Sequence, residues 1–369
     1  MNNPPTALVG FEEAGSARLP RRLSLNNPPT ALVGFGKEPH HVKSTMPKVS
    51  VCIPTYNTAR YLPEAIESVL AQDFSDFELV ICDNASTDQT PAICHRYTDP
   101  RVRYVRFDEL VNQAGNFNRC LDEVKGEFFT LLHSDDFFLP GFLADRVRRL
   151  NQHPETGFVF GAVKVVDSDG VVTDTTGKWP DDRSFGVGEL VEPLMFGCIV
   201  SPPSVMVRKS CAASVDVFRT DLTWGHDWEW TIRLAEAGAA LYVSEPLAAY
   251  RVHDSSGTAE VLNAAKNGDQ ERRILKEALA RMPSNRARRL RRSAFKALAL
   301  RHMYFAESAL LEGRRGVTRN NLWYAALADP SMALRPTYWA LLIGSFGTVN
   351  LYSRYRALRN GAHAPGTQL

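Results

Sequence analysis

Three short apolar runs in the first half of this 369-residue chain end in side chains able to do chemistry. The first closes on Pro54-Thr-Tyr-Asn57 and the second on Asp83-Asn-Ala-Ser-Thr-Asp88. The third, Phe129-Thr-Leu-Leu-His-Ser-Asp-Asp136, ends in an acidic pair. Carboxylates at the end of an apolar strand can supply oxygen ligands to Mg²⁺ or Mn²⁺, which makes Asp135 and Asp136 candidate ligands. Two adjacent acids in a loop are more often simply solvated. Asp83 could accept a hydrogen bond from a ligand, or begin a turn, because Asp-Asn is good turn chemistry. Farther on, Gly225-His-Asp-Trp-Glu-Trp230 precedes an amphipathic stretch over 231–237. Asp227 there could take a proton as a general base or cap the helix.

These residues need a scaffold that brings strand ends together. Strands are expected over 49–55, 78–82, 102–107 and 128–133, and helices over 61–72, 89–97, 116–124 and 141–153. Pro63 falls in the first turn of its helix, where a missing N–H costs nothing. Residues 157–166 and 171–173 flank an Asp-Ser-Asp-Gly turn and predict a hairpin. Strands alternating with helices mean an α/β, mostly parallel sheet, with ligands at its carboxyl edge. Beyond 256 the character changes: 264–279, 285–311, 318–328 and 336–358 all carry helical periodicity.

Composition is ordinary for a globular protein, and the net charge of +2 implies no special partner. Its distribution is uneven. Residues 270–369 hold 18 Lys and Arg against 5 Asp and Glu, leaving 25 and 36 for the rest. The six cysteines form no C-x-x-C pair, which argues against a metal finger and for a reducing cytosol. No apolar run reaches transmembrane length, and the first residues lack a signal-peptide core. Asn2-Asn-Pro-Pro-Thr-Ala-Leu-Val-Gly-Phe11 recurs as residues 26–35. That Pro- and Gly-rich duplication has too little patterned apolar surface to fold alone. Residues 1–45 are therefore expected to be a disordered extension, or Met46 to be the native start.

In order and spacing, Pro54-Thr-Tyr-Asn57, Asp83-Asn-Ala-Ser-Thr-Asp88, the acidic pair, Gly225-His-Asp-Trp-Glu229 and Tyr250-Arg-Val-His253 resemble the family 2 glycosyltransferases. The resemblance covers roughly residues 47–256. It implies a GT-A-type mostly parallel sheet flanked by helices, Rossmann-like in its nucleotide-binding half, over 46–256, with a helical basic region over 257–369. It implies an inverting, metal-dependent, non-processive transferase that moves a sugar from a nucleotide donor to a saccharide or lipid-linked acceptor in surface polysaccharide or glycolipid synthesis. A UDP-sugar is the first expectation for the donor, a dTDP- or GDP-sugar the next.

By the same resemblance, Pro54, Thr55, Tyr56 and Asn57 pack on the base and Asp83 accepts its imide N–H. Asn116, Arg119 and Ser134 lie near the nucleotide; Arg119 could equally be a surface arginine. Asp135 is the main protein ligand of the Mn²⁺ or Mg²⁺, with His253 as a further contact and Asp136 nearby. The chain departs from the family's Asp-x-Asp motif by placing His133 at its first acid. His can coordinate Mn²⁺ or bond a phosphate, so the departure leaves the metal's identity open. Asp227 is the base, Trp224, Trp228 and Trp230 could wall off water and face a sugar, and Ser204 lies in a Ser-Pro-Pro-Ser loop near the acceptor. That loop could equally be a rigid turn before a strand.

Two rival readings share the fold: a sugar nucleotidyltransferase and an inactive nucleotide-sugar-binding scaffold. A nucleotidyltransferase would carry a Gly-rich basic loop after the first strand, which Pro54-Thr-Tyr-Asn57 is not. The scaffold finds support only in His133. Gln270-Glu-Arg-Arg-Ile274 lacks the Trp of the processive relatives' Gln-x-x-Arg-Trp motif. The basic helices, with Arg286, Arg288, Arg289, Arg291 and Arg292 on one of them, suit an anionic membrane surface or a solvated face. No nucleic-acid module is recognisable. The expected location is cytoplasmic, peripheral on the inner face of the cytoplasmic membrane.

Overall fold

A computed structural model describes residues 46–254, 256, 267–347, 352 and 356. The duplicated N-terminal stretch and much of the last expected helix lie outside these residues. The described chain divides into two compact units. One runs through Val191 and continues over Val200–Val252; the other joins Glu192–Ile199 to the residues from His253 onward. The α/β domain and helical region expected over 46–256 and 257–369 thus differ from these units in a short segment that belongs with the helices.

The first unit holds β1 (Val49–Thr55), β2 (Phe77–Asn84), β3 (Val102–Phe107) and β4 (Phe128–Leu131). They are joined by α1 (Leu62–Leu70), α2 (Thr90–Cys94) and α3 (Gln113–Glu123). β1 pairs parallel with both β2 and β4, and β2 with β3. β1 and β3 match the expected ranges. Every residue of β1 is buried because helices cover both sides of a parallel sheet. Val49, Val51 and Ile53 join Leu62, Ala65, Ile66 and Val69 of α1 in one core. β3 is half-buried and carries Arg103, which pairs with Glu78 and Glu123, so a charged side chain protects the sheet edge. Two expectations shrink: α2 is a single short turn sequence rather than 89–97, and β4 stops two residues before His133.

The sheet continues beyond β4. β5 (Phe137–Phe138) and α4 (Phe142–Gln152) precede β6 (Thr156–Gly161), β7 (Val163–Val166), β8 (Val172–Thr176) and β9 (Arg183–Phe185). β10 (Met206–Arg208), α5 (His226–Ala237), β11 (Ala239–Val243) and β12 (Ala248–Arg251) complete the unit. The large sheet has the order β3-β2-β1-β4-β10-β6-β11-β9, and a small one the order β5-β12-β7-β8. The single strand expected over 157–166 is therefore two. The chain leaves the large sheet at Gly161 and enters the small one at Val163, where β7 and β8 form the expected hairpin. Glycine permits the crossing: a Cβ at 161 would sit 2.7 Å from the Val243 carbonyl oxygen and 2.8 Å from the Arg146 guanidinium.

The helical unit contains α6 (Gly268–Arg281), α7 (Ser284–Leu311), α8 (Arg315–Ala328) and α9 (Pro336–Phe346). Leu275, Leu298, Leu310, Leu322 and Leu341 are buried in it. Three polar side chains lie inside as well: His302 Nε2 is 2.9 Å from Glu271 Oε2, and His302 Nδ1 is 2.8 Å from Asn321 Oδ1. Arg288, Arg289, Arg291 and Arg292 are solvated. Among the described residues no helix is long and apolar enough to cross a membrane. All six cysteines are buried and none forms a disulfide, and burial pushes the Cys94 thiol up to about 12.

Phe142 anchors the core beneath the acidic turn. It is fully buried and stacked on Phe138 with ring centroids 3.9 Å apart. Phe142→Ala is expected to cost about 3–5 kcal/mol, as large-to-small aromatic substitutions in cores do. Urea denaturation of the two proteins checks it; a loss under about 1 kcal/mol would mean that the stack contributes little.

Candidate active site

At β1 the strand order reverses, with β2 on one side and β4 on the other, and such a switch point opens a crevice at the carboxyl edge. Register brings the chemical residues to that edge. Thr55 pairs with Asp83, while Cys52 pairs with Leu131, so the turn after β4 rises beside the last residues of β1. Leu132 N continues the ladder by donating to the Cys52 carbonyl at 2.9 Å.

The turn gathers His133, Asp135 and Asp136, whose ligand atoms lie within 4.8 Å of one another. Asp136 is 1 % exposed. Its Oδ1 accepts the Arg251 backbone N–H at 2.8 Å, while its Oδ2 makes no hydrogen bond and lies 3.9 Å from His133 Nδ1. Burial, and the charge of Asp135 beside it, push the Asp136 carboxyl well above the usual carboxylate range. A carboxylate oxygen and an imidazole nitrogen buried without hydrogen bonds, with a second carboxylate in reach, fit a divalent cation. His133 thus belongs to the acidic group. Ser134 is buried between these residues. His253 follows β12 by two residues in sequence and falls in the helical unit.

Arg251 holds this turn in place. Its guanidinium is 2 % exposed, donates to the Asp135 carbonyl at 2.8 Å and the Asp167 carbonyl at 3.1 Å, and pairs with Glu64. It packs over the Tyr61 and Phe137 rings. The sequence showed it only as a member of Tyr250-Arg-Val-His253. An arginine in the last strand before a His was the available signal, but its partners lie 84 to 187 residues away.

The loops after β1 and β2 are locked to each other. Asn57 Oδ1 accepts from Thr87 N at 2.8 Å and Asp88 N at 3.3 Å, and Ser86 Oγ accepts from Asn57 N at 3.0 Å. Asn57 and Ala85 both sit in the left-handed region, at φ 52° and 62°. An alanine there carries a steric cost that the surrounding bonds must outweigh. Pro54 and Thr55 are buried, Thr55 Oγ1 lies 2.6 Å from Thr58 Oγ1, and Tyr56 is 45 % exposed.

Asp83 is fully buried. Its Oδ1 accepts Ser86 N at 2.9 Å; its Oδ2 accepts Tyr104 Oη at 2.6 Å and Arg106 Nη1 at 2.9 Å. It therefore plays the turn role as well as standing at the crevice. Asn116 donates to the Cys82 carbonyl at 3.1 Å and leaves its Oδ1 without a hydrogen bond. Arg119 donates to Asn84 Oδ1 at 2.9 Å and the Glu109 carbonyl at 2.8 Å, stacked 4.4 Å over Phe107. Its guanidinium buttresses the loop after β3.

Asp227 lies inside the first turn of α5, which begins five residues before the expected 231. The cap is Gly225, at φ 68°, so the capping alternative for Asp227 falls away. Asp227 is partly exposed. Asp227 and His133 line one cavity with Phe117, Phe129, Leu131 and Trp230. His226 packs edge-on against Phe117 at 5.2 Å and leaves its buried Nδ1 without a hydrogen bond.

Three aromatic or hydroxyl expectations need correction. Trp228 is 1 % exposed and Trp230 5 %, so neither offers a face to a sugar. They sit on the inner side of α5, and Trp230 stacks on Phe218 at 4.4 Å. Ser204 is fully buried, donates to the Ser201 carbonyl at 2.7 Å and accepts from Gly161 N at 3.1 Å. It is the rigid turn, and it braces the strand crossing. Trp224 is partly buried.

With this geometry in view, the comparisons are specific. Residues 50–199 match the model of glycosyl transferase family 2. Residues 50–199 are therefore a family 2 glycosyltransferase segment, and the protein is a glycosyltransferase. A GalNAc(5)-diNAcBac-PP-undecaprenol beta-1,3-glucosyltransferase of Campylobacter jejuni is 37% identical over 111 residues, covering 29% of this chain and 36% of that one. The crystal structure of S. aureus TarS 1–349 in complex with UDP-GlcNAc aligns with TM-score 0.59 at 19% identity, over 85% of this chain and 92% of that one. The mannosyltransferase PcManGT of Pyrobaculum calidifontis, in complex with GDP-Man and Mn²⁺, aligns with TM-score 0.50 at 18% identity, over 88% and 91%. These two likenesses show a shared GT-A fold.

One pH dependence follows from His226. Burial pushes its imidazole below the ordinary value, against the pull of Asp227 and with a smaller push from His133. The unfolded chain binds a proton near pH 6.5 that the native chain refuses until lower pH. Stability supplied by neutral His226 is present above pH 6.5 and is lost as pH falls toward the depressed value. His226→Leu is expected to lose less stability than the parent between pH 7.5 and 5.5, measured by chemical denaturation. Identical losses would take His226 out of the acid response.

Proposed function

We propose that this glycosyltransferase is inverting and metal-dependent, using a nucleoside-diphosphate sugar as donor, with Asp227 as the base. The observation that carries the reading is that His133, one of the candidate ligands, and Asp227 line the same cavity. Sugar transfer needs those two functions on opposite sides of one anomeric carbon.

Asp135, Asp136 and His133 would hold the cation, with His253 as a further candidate. A divalent ion there supplies charge neutralisation for the leaving diphosphate without a proton. Arg251 fixes the turn that carries the ligands, and such support typically tunes affinity about 10–100-fold. The base packs on the loop Pro54–Asn57, where Tyr56 is the exposed ring, and Asp83 accepts its imide N–H once Arg106 moves aside. Asn116, Arg119 and Ser134 flank the same crevice. A uridine nucleotide is favoured, since TarS is named with UDP-GlcNAc; PcManGT, named with GDP-Man, keeps guanosine in view and dTDP remains a third choice.

Asp227 accepts the proton of the acceptor hydroxyl as its oxygen attacks the anomeric carbon from the side opposite the diphosphate. The new C–O bond forms as the C–O bond to phosphate breaks, and configuration inverts. Trp224 is placed beside this base in sequence for the acceptor. The named activity of the Campylobacter relative supports a lipid-linked acceptor and a role in surface polysaccharide or glycolipid synthesis. Transfer is non-processive. The helical unit lies against an anionic inner membrane surface through its solvated arginines and exposed Trp339, Ile343 and Phe346, spaced along one face of α9.

A thermal-shift panel of UDP, GDP, dTDP and CMP, each with and without Mn²⁺, tests the donor class. A Mn²⁺-dependent shift with one diphosphate supports the reading, and no shift with any of them counts against it. Asp227→Asn should leave that shift intact while turnover falls about 10²–10⁴-fold, the usual worth of general-base assistance. Unchanged turnover would remove Asp227 from the mechanism. Flotation with anionic liposomes at low salt should carry the protein upward; absence from the lipid layer sinks the membrane contact.

A further inference from the structure

The last helices of the helical unit leave an apolar patch in water. Trp323 on α8, Leu334 in the 3₁₀ turn Pro330–Leu334, and Trp339, Ile343 and Phe346 on α9 are each more than half exposed. Single exposed apolar residues are ordinary; five on neighbouring elements call for a cause. Trp339, Ile343 and Phe346 stand at i, i+4 and i+7, on one face of their helix. The opposite face packs inward, with Tyr338, Leu341, Gly344 and Ser345 buried. Arg319 joins the outer face to α8: its guanidinium lies 4.9 Å over the Phe346 ring and donates to the Ser345 carbonyl at 3.0 Å. Trp323 is one turn beyond Arg319 along α8. Trp339 Nε1 donates to the Ala333 carbonyl at 2.7 Å, which ties the indole to the turn that carries Leu334.

Charge and polarity decide the occupant. Arg315, Arg319 and Arg335 border the patch in sequence, and Asp329 is the sole acid between 313 and 347. Aromatic rings set among arginines fit the headgroup level of a bilayer, where rings are half immersed and guanidinium groups meet phosphate. A protein partner would ask for matched hydrogen bonds, about one per 100–200 Å². The patch answers poorly, because Leu334, Ile343 and Phe346 carry no polar atom and the Trp339 N–H is committed inside the unit. α9 has 11 residues and is about 16 Å long, half of a ~30 Å hydrocarbon core, so it suits lying along a bilayer. We infer that this patch is an anchor that inserts into the headgroup and upper acyl region of a phospholipid surface, and that it carries more of the binding than the arginines of α7. The inference rests on the membrane contact proposed above and names what makes it. Two of the α7 arginines are already engaged: Arg289 meets Glu192 at 2.9 Å and Arg286 meets it at 3.8 Å. Salt screens exposed ionic contacts and leaves apolar burial in place, so the anchor holds where the arginines let go.

Flotation of the full chain with phosphatidylcholine vesicles containing phosphatidylglycerol tests this, at low salt and at about 1 M salt, where the Debye length is about 3 Å. The protein should float at both. Ile343→Ser combined with Phe346→Ser on α9 should weaken the high-salt partition about tenfold or more, since each large apolar side chain leaving water contributes about that factor. Trp323→Ser, on the other helix, should weaken it in the same direction. These side chains are exposed, and a thermal midpoint equal to the parent's shows that each variant folds. Flotation at low salt only, or flotation that both sets of substitutions leave unchanged, overturns the anchor and leaves the arginine contact standing. No flotation under either condition overturns both. A dimer in lipid-free sedimentation that the same substitutions dissolve gives the patch to a second copy and overturns the anchor as well.

Discussion

The buried charge of Arg251 is the constraint on which the site depends. An unpaired guanidinium inside a protein is costly, so the chain around it must supply acceptors from several directions. The acidic turn gives the Asp135 carbonyl, the β7–β8 turn gives the Asp167 carbonyl, and α1 gives Glu64. Satisfying one cation therefore fixes three segments relative to β12. The backbone N–H of the same residue holds Asp136. The turn that carries the candidate ligands is positioned by this demand, because β4 ends before it and no ladder extends into it.

Much of the fold was legible because buried parallel strands leave a simple signature. β1 and β3 were placed to the residue, β1 as an apolar run closed by polar side chains and β3 as a run of strand formers between Arg101 and Asp108. The acidic turn was legible for the same reason. The crossing at Gly161 was not, because an unbroken run of β-formers hides a change of sheet that depends on how closely Arg146 and Val243 approach. The extent of α5 was missed at its start, where His226-Asp-Trp-Glu has no helical periodicity of its own and Gly225 supplies the cap through a positive φ.

Side-chain direction was the harder part of the site. Trp228 and Trp230 belong to a helix whose inner face they fill, and residue type alone could not tell a sugar platform from a core aromatic. Ser204 was equally ambiguous until Gly161 appeared opposite its hydroxyl. Asp83 answers both descriptions offered by its sequence: it stands at the crevice, and it closes a turn with Ser86 while Tyr104 and Arg106 occupy its other oxygen. His133 changes meaning most. In the sequence it breaks an acidic motif; in the structure it is one of three groups converging on one point.

All six thiols are interior, and burial makes those of Cys52, Cys94 and Cys120 poor nucleophiles. Among the described residues, no thiol is thus offered to a maleimide or an iodoacetamide at the surface. A single cysteine introduced on an exposed residue becomes the sole handle for a spin label or fluorophore. Placed beside the acidic turn, such a handle would report on that turn alone, against an otherwise unlabelled chain.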